Sequence, residues 1–145
     1  MIAVETNILV YAHRRDMPLH GDAHARLAEL AEGAGPWAVP WPCVAEFVAI
    51  VTNARLFVKP SPLPTALDQV EAWLASPSLV LLSEGDEFWG SFRTVLESGR
   101  VAGGQVHDGR IAAICIANGV QELWTADRDF GRFAGLRTRN PLVGR

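Results

Sequence analysis

Short apolar runs, each closed by a polar or acidic turn, alternate with longer amphipathic stretches along most of the chain. That alternation restricts the fold more than any other feature. Strands separated by helices pair in parallel, and a parallel sheet needs helices on its faces. The runs Met1–Val4, Trp37–Val39, Leu79–Leu82, Glu122–Thr125 and Leu136–Thr138 read as strands. Helices are expected from a Thr6 or Asn7 cap through Ala12, then over His20–Glu32, Pro42–Asn53, Thr65–Ala75, Asp86–Ser98 and Val106–Asn118. Gly33, Gly99 and Gly119 are the expected stops, and the Val106 helix, apolar almost all round, should be deeply buried. The pattern predicts a three-layer α/β/α fold with a central parallel sheet of four to five strands, formed by residues 1–145 as a single domain.

With 49% hydrophobic and 20% charged residues, the chain is not a disordered one. Its longest apolar run, Ile111–Ala117, is far short of the ~20 residues of a membrane span. Its start carries no basic region ahead of an apolar stretch, so a cytoplasmic protein is expected. Cys43 and Cys115 lie in apolar segments and read as buried reduced thiols. A net charge of −3 argues against holding nucleic acid by a broad positive field. His20 and His24, at i and i+4 with no third ligand in view, read as a helix face rather than a metal pair.

The informative residues are acids where a packed helix would want apolar side chains. Cys43, Phe47 and Ile50 form a stripe at helical spacing, and Glu46 falls inside it. Asp108 shares a face with Ile111, Ala112 and Cys115. Glu5 ends the first strand, Asp127 follows the Glu122–Thr125 strand, and Asp129 comes two residues later. Strand ends and helix starts meet at one edge of a parallel sheet, where ligands of such folds gather. Each acid has an ordinary reading alone, Asp108 as a first-turn helix acid and Asp127 and Asp129 as turn residues. Together they are costly, since two carboxylates ~5 Å apart repel by ~3 kcal/mol at an effective dielectric of 20. A cation relieves that cost, and a set of oxygen donors without thiolates or a histidine cluster suits Mg²⁺ or Mn²⁺. Such a centre favours phosphoryl chemistry.

Four segments carry a resemblance to a known family. MIAVETNILVYAH is similar to the opening strand and acid-Thr-Asn turn of the PIN-domain ribonucleases, specifically the VapC toxins of bacterial VapBC toxin–antitoxin pairs. PWPCVAEFVAIVTN resembles the helix with that family's glutamate, VHDGRIAAICIANG the helix with its third acid, and LWTADRDFGRF the strand and turn with its fourth. The PWP and VHD contexts look most like an actinobacterial branch. The resemblance implies a PIN-like fold and a Mg²⁺- or Mn²⁺-dependent endoribonuclease that cuts structured RNA, tRNA or rRNA. It also implies a homodimer and a VapB antitoxin whose C-terminal segment covers the acid site. It makes Glu5, Glu46, Asp108 and Asp127 the catalytic and metal-holding acids, with Asp129 as an accessory. Thr6, Asn7 and Thr125 are expected to orient those carboxylates, with simple capping of the first helix the competing role for Asn7.

One departure stands out. The family has Asp where this chain has Glu5, and the longer side chain shifts the carboxylate against a demanding metal geometry. Two readings follow: a ribonuclease toxin impaired at Glu5, or a catalytically inactive PIN-like module that binds RNA or antitoxin. An apolar groove for the antitoxin is expected beside the acids, with Tyr11, Leu27, Leu30 and Trp73 as its walls.

Overall fold

The computed structural model describes residues 1–143. Five parallel strands form one sheet in the order β3-β2-β1-β4-β5. They are β1 (Ile2–Val4), β2 (Trp37–Pro40), β3 (Leu79–Leu82), β4 (Glu122–Trp124) and β5 (Thr138–Arg139). The central strand is almost wholly apolar, as burial on both faces requires, with Ala3 and Val4 fully inaccessible. Strand order runs outward in opposite directions from the β1–β4 pair, so the carboxyl ends of these two strands frame the crevice where such folds bind ligands.

Six helices flank the sheet: α1 (Thr6–His13), α2 (His20–Glu32), α3 (Trp41–Val51), α4 (Leu63–Leu74), α5 (Phe88–Gly99) and α6 (Gln105–Ala117). α1 packs against α2 and α3, and α5 packs against α6. In α6 every residue from Ile111 to Cys115 is fully buried, as its all-round apolar character predicts. The Gly119 stop is a complete cap: Gly119 sits at φ 71°, Val120 N–H donates to Cys115 O at 3.0 Å and Gly119 N–H to Ile116 O at 3.1 Å. Both cysteines are buried free thiols, and among the described residues no helix is long and apolar enough to cross a membrane.

Besides shifted element ends, with β5 at Thr138–Arg139 rather than Leu136–Thr138 and α4 starting at Leu63 rather than Thr65, two local expectations change. The first helix is capped by Glu5, whose Oε2 accepts the Asn7 backbone N–H at 3.3 Å, and not by Thr6 or Asn7. Those two side chains have partners elsewhere, described below. At the end of α5, Gly99 is still helical and Arg100 takes the left-handed position, at φ 51°.

Candidate active site

Glu5 leaves β1 at the topological switch point and is only 6% exposed. Its backbone N–H continues the sheet by donating to Trp124 O at 3.0 Å. Its Oε2 accepts two hydrogen bonds, from Asn7 N–H and from the Thr125 hydroxyl at 3.2 Å. Thr125 is the hub of the β4 end: its Oγ1 also accepts from Asp127 N–H at 3.0 Å and from Asn7 Nδ2 at 3.4 Å. Asn7 completes the lattice, its Oδ1 accepting from Ala126 N–H at 3.2 Å. Two of the three side chains expected to orient the carboxylates, Asn7 and Thr125, therefore tie the ends of β1 and β4 together, and the Asn7 side chain reaches the β4 end rather than capping its helix.

Glu46, half-buried on α3, has its carboxylate fixed by the Thr6 hydroxyl, which donates to Oε2 at 2.8 Å. A neutral donor forty residues away fills the role that no nearby Arg or Lys offers. Asp108 enters from the first turn of α6, half-buried. Asp127 caps a 3₁₀ turn, Arg128–Arg132, by accepting Asp129 N–H at 2.9 Å, and Asp129 lies exposed at the rim.

Electrostatics join the acids into one set. The Glu5 carboxyl is pushed up to about 7, chiefly by burial and further by the charges of Glu46 and Asp108, against the relief of its hydrogen bonds from Asn7 and Thr125. Asp108 is also raised, first by burial and then by Asp127, Glu46 and Asp129. The negative charge reaches the core beneath: burial, then the charge of Glu5, raises the thiols of Cys43 and Cys115, the latter to about 12. The set consists of hard oxygen donors that repel one another, which is the donor chemistry a hydrated divalent cation fits. Among the described residues, no group of three or more Asp, Glu, His or Cys side chains is arranged to hold a metal ion directly.

The apolar groove touching this cluster has a volume of about 360 Å³ and runs from Glu5 and Glu46 past Tyr11 to Met17, Ile50 and Phe57. Tyr11 is a wall, as expected. Leu27 and Trp73 are not: they line a separate depression on the other side of α1, and Leu27 is 3% exposed within the core. Leu30 packs against the core and lines neither. The division follows from helix geometry, since the neighbours Tyr11 and Ala12 diverge by about 100° around α1. Sequence reasoning also missed a polar cavity at the far end of α1, built around Arg14 and Ser61. Their partners lie more than forty residues apart in the chain, so no local pattern signals them.

Comparison with known proteins gives a consistent picture. The PIN domain model matches residues 2–136. The VapC ribonuclease Mb2897 of Mycobacterium bovis is 38% identical over 144 residues, covering 99% of this chain and 97% of that protein. Ribonuclease VapC43 of Mycobacterium tuberculosis shows the same identity and coverage. Among solved structures, VapBC2 from Rickettsia felis bound to a promoter DNA fragment contains a chain that superposes with a TM-score of 0.68 at 24% identity, over 96% of this chain and 98% of that one.

Proposed function

Because the chain belongs to the PIN-domain family, we propose that it is a ribonuclease toxin, a metal-dependent endoribonuclease that cuts structured RNA such as tRNA or rRNA and is restrained by a VapB-type antitoxin. The observation that carries this reading is the burial of Glu5 and Asp108 beside further carboxylates at the switch point of the sheet, where burial first and neighbouring acids second, Glu46 for both, raise each of them. Folding forces like charges together at an accessible edge, and a cation is the partner that makes the arrangement favourable. Glu5, Glu46, Asp108 and Asp127, with Asp129 at the rim, would hold Mg²⁺ or Mn²⁺, one or two of them directly and the rest through water, as Mg²⁺ ordinarily binds. When bound, the cation activates water and stabilises the developing charge of an in-line displacement at a phosphodiester. The chain's own contribution is orientation. Thr6 holds Glu46, Thr125 and Asn7 hold Glu5, and Asp127 is fixed by the turn it caps. The groove past Tyr11 receives the antitoxin's C-terminal segment, and the working assembly contains two copies of the chain.

A second reading rests on Glu5 itself. Its Oε2 is already engaged by α1 and Thr125, which favours a module whose catalysis is weakened. Cleavage of a structured RNA by this chain and by Glu5→Asp, each in Mg²⁺ and in Mn²⁺, separates the two. The variant is expected to be at least ~10-fold faster, about 1.4 kcal/mol of transition-state stabilisation. The deficit of Glu5 should be larger in Mg²⁺, whose octahedral shell tolerates displacement poorly. Equal rates in both metals would make Glu5 a fully competent ligand. No metal-dependent cleavage by either form would overturn the ribonuclease assignment.

A further inference from the structure

A cavity of about 730 Å³ lies not at the acid cluster but at the opposite end of α1. The eight residues of α1 separate the two by ~12 Å. The cavity's floor is built rather than incidental. Arg14 and Ser61 are 7% and 9% exposed. The Arg14 guanidinium forks onto Asp16 at 2.9 and 2.5 Å, lies 4.0 Å from the Phe57 ring centroid, and donates to Lys59 O at 2.8 Å and Ser61 Oγ at 3.2 Å. His13 closes the arrangement, one ring nitrogen 2.9 Å from Ser61 Oγ and the other 3.1 Å from Gln69 Oε1.

This network fixes the backbone of Lys59 and the end of α1, and so sets Arg15 and Lys59 on the cavity wall. Asp16 is the only acid of the lining and is neutralised by Arg14. Arg15 and Lys59 have no ion-pair partner among the described residues. A chain with net charge −3, whose only lysine is Lys59, therefore concentrates uncompensated positive charge in this cavity. Hydroxyl and amide groups of Thr65 and Gln69 line the same space. Phe57, under Arg14, lines the groove beside Glu5, so Arg14 of the cavity packs against a residue of that groove.

We propose that this cavity is an anion site for a backbone phosphate of single-stranded RNA, held by Arg15 and Lys59 while a more distant phosphodiester of the same strand lies at the acid cluster. It rests on the ribonuclease reading for the strand's purpose, but its binding test does not. A guanidinium and an ammonium on a preorganised wall are the standard phosphate-holding pair. The acid cluster repels phosphate in the absence of a cation, so an attractive site elsewhere is needed to bring the strand in.

The test measures anisotropy of a fluorescent single-stranded oligoribonucleotide with the full chain in metal-free buffer over a range of salt. Arg15→Gln/Lys59→Gln is expected to weaken binding at least ~10-fold and to flatten the slope of log affinity against log salt by ~0.7, the value for one neutralised phosphate of a single strand. Arg93→Gln/Arg100→Gln, a charge-matched exposed pair on and beyond α5, is expected to leave affinity within two-fold. Inorganic phosphate should compete with the RNA for the unmodified chain and not for Arg15→Gln/Lys59→Gln. In metal-loaded cleavage the cavity variant should raise KM at unchanged kcat. If the unmodified chain binds RNA but cleaves none, the ribonuclease reading fails and the anion site stands. Unchanged affinity and salt slope in Arg15→Gln/Lys59→Gln, with the fold verified by circular dichroism, would overturn the proposal, as would phosphate binding that leaves RNA binding untouched.

Discussion

Glu5 caps α1, joins the end of β1 to Thr125 on β4, and carries the most perturbed carboxyl of the acid cluster. The last property makes stability depend on pH in a direction opposite to the usual carboxylate. With a folded value of about 7 against 4.5 for an ordinary glutamate, the folded chain retains a proton that the unfolded chain releases. Stability is therefore greatest below pH 4.5 on this account and is lost as pH rises through 7, by as much as ~3 kcal/mol. Thermal melting without divalent cations should thus fall between pH 5 and pH 8. Glu5→Gln, which keeps the shape and removes the charge, should melt higher at pH 8 and lose most of that slope, the remainder belonging to Asp108. A flat profile for the unmodified chain would mean that Glu5 is better solvated than its burial implies. At this scale the sequence was informative wherever an acid interrupts a visible period: Glu46 and Asp108 stand out because their helical stripes are otherwise apolar. Arg14 did not stand out, because a basic residue just past a helix looks like surface until its contacts with Lys59 and Ser61 are known.

Elements were read best where one local rule decided the outcome. Gly119 stops α6 through a complete capping arrangement that depends on its positive φ. Gly99 obeys a different rule. It is the last helical residue of α5, and a Cβ there would lie 3.1 Å from the Phe133 ring, so it is small for the sake of packing. The left-handed conformation falls one residue later on Arg100, where a Cβ is unfavourable. Arg100→Gly should consequently stabilise the protein by about 0.5–1 kcal/mol, the conformational relief exceeding the extra freedom of the unfolded chain. Equilibrium denaturation measures it, and a loss of stability would show that the Arg100 side chain contributes more than its backbone costs. The helix expected from Thr65 shows a smaller displacement: α4 begins at Leu63, since Pro64 is accommodated in a first helical turn where its missing N–H has no partner to lose.

For the whole molecule, alternation of strand and helix was enough to infer a parallel sheet, and a parallel sheet was enough to bring the acids of β1, α3, α6 and the β4 turn to one edge. The sides of α1 were not legible in the same way. Tyr11, Leu27 and Trp73 are all apolar, yet which of them face the acids depends on how α1, α2 and α4, which carry them, pack together, a property of packing rather than of period. Tyr11 shares a groove with Glu5 and Glu46, whereas Trp73 opens on the opposite depression. This division yields a prediction about the proposed antitoxin. A segment that covers the acids must cross the groove they share, so Tyr11→Ala should weaken binding of a VapB-type C-terminal peptide by at least ~10-fold, about 1.4 kcal/mol, as loss of an aromatic anchor does. Trp73→Ala should leave peptide affinity within two- to three-fold, although it removes an edge contact with Phe47, 4.8 Å between ring centroids, and so should lower the melting temperature. Calorimetric titration of the peptide into each variant, with melting curves alongside, reads both effects. If Trp73→Ala lost affinity and Tyr11→Ala did not, the peptide would lie between α2 and α4, and the acids would be covered by chain that reaches them around α1 rather than along it.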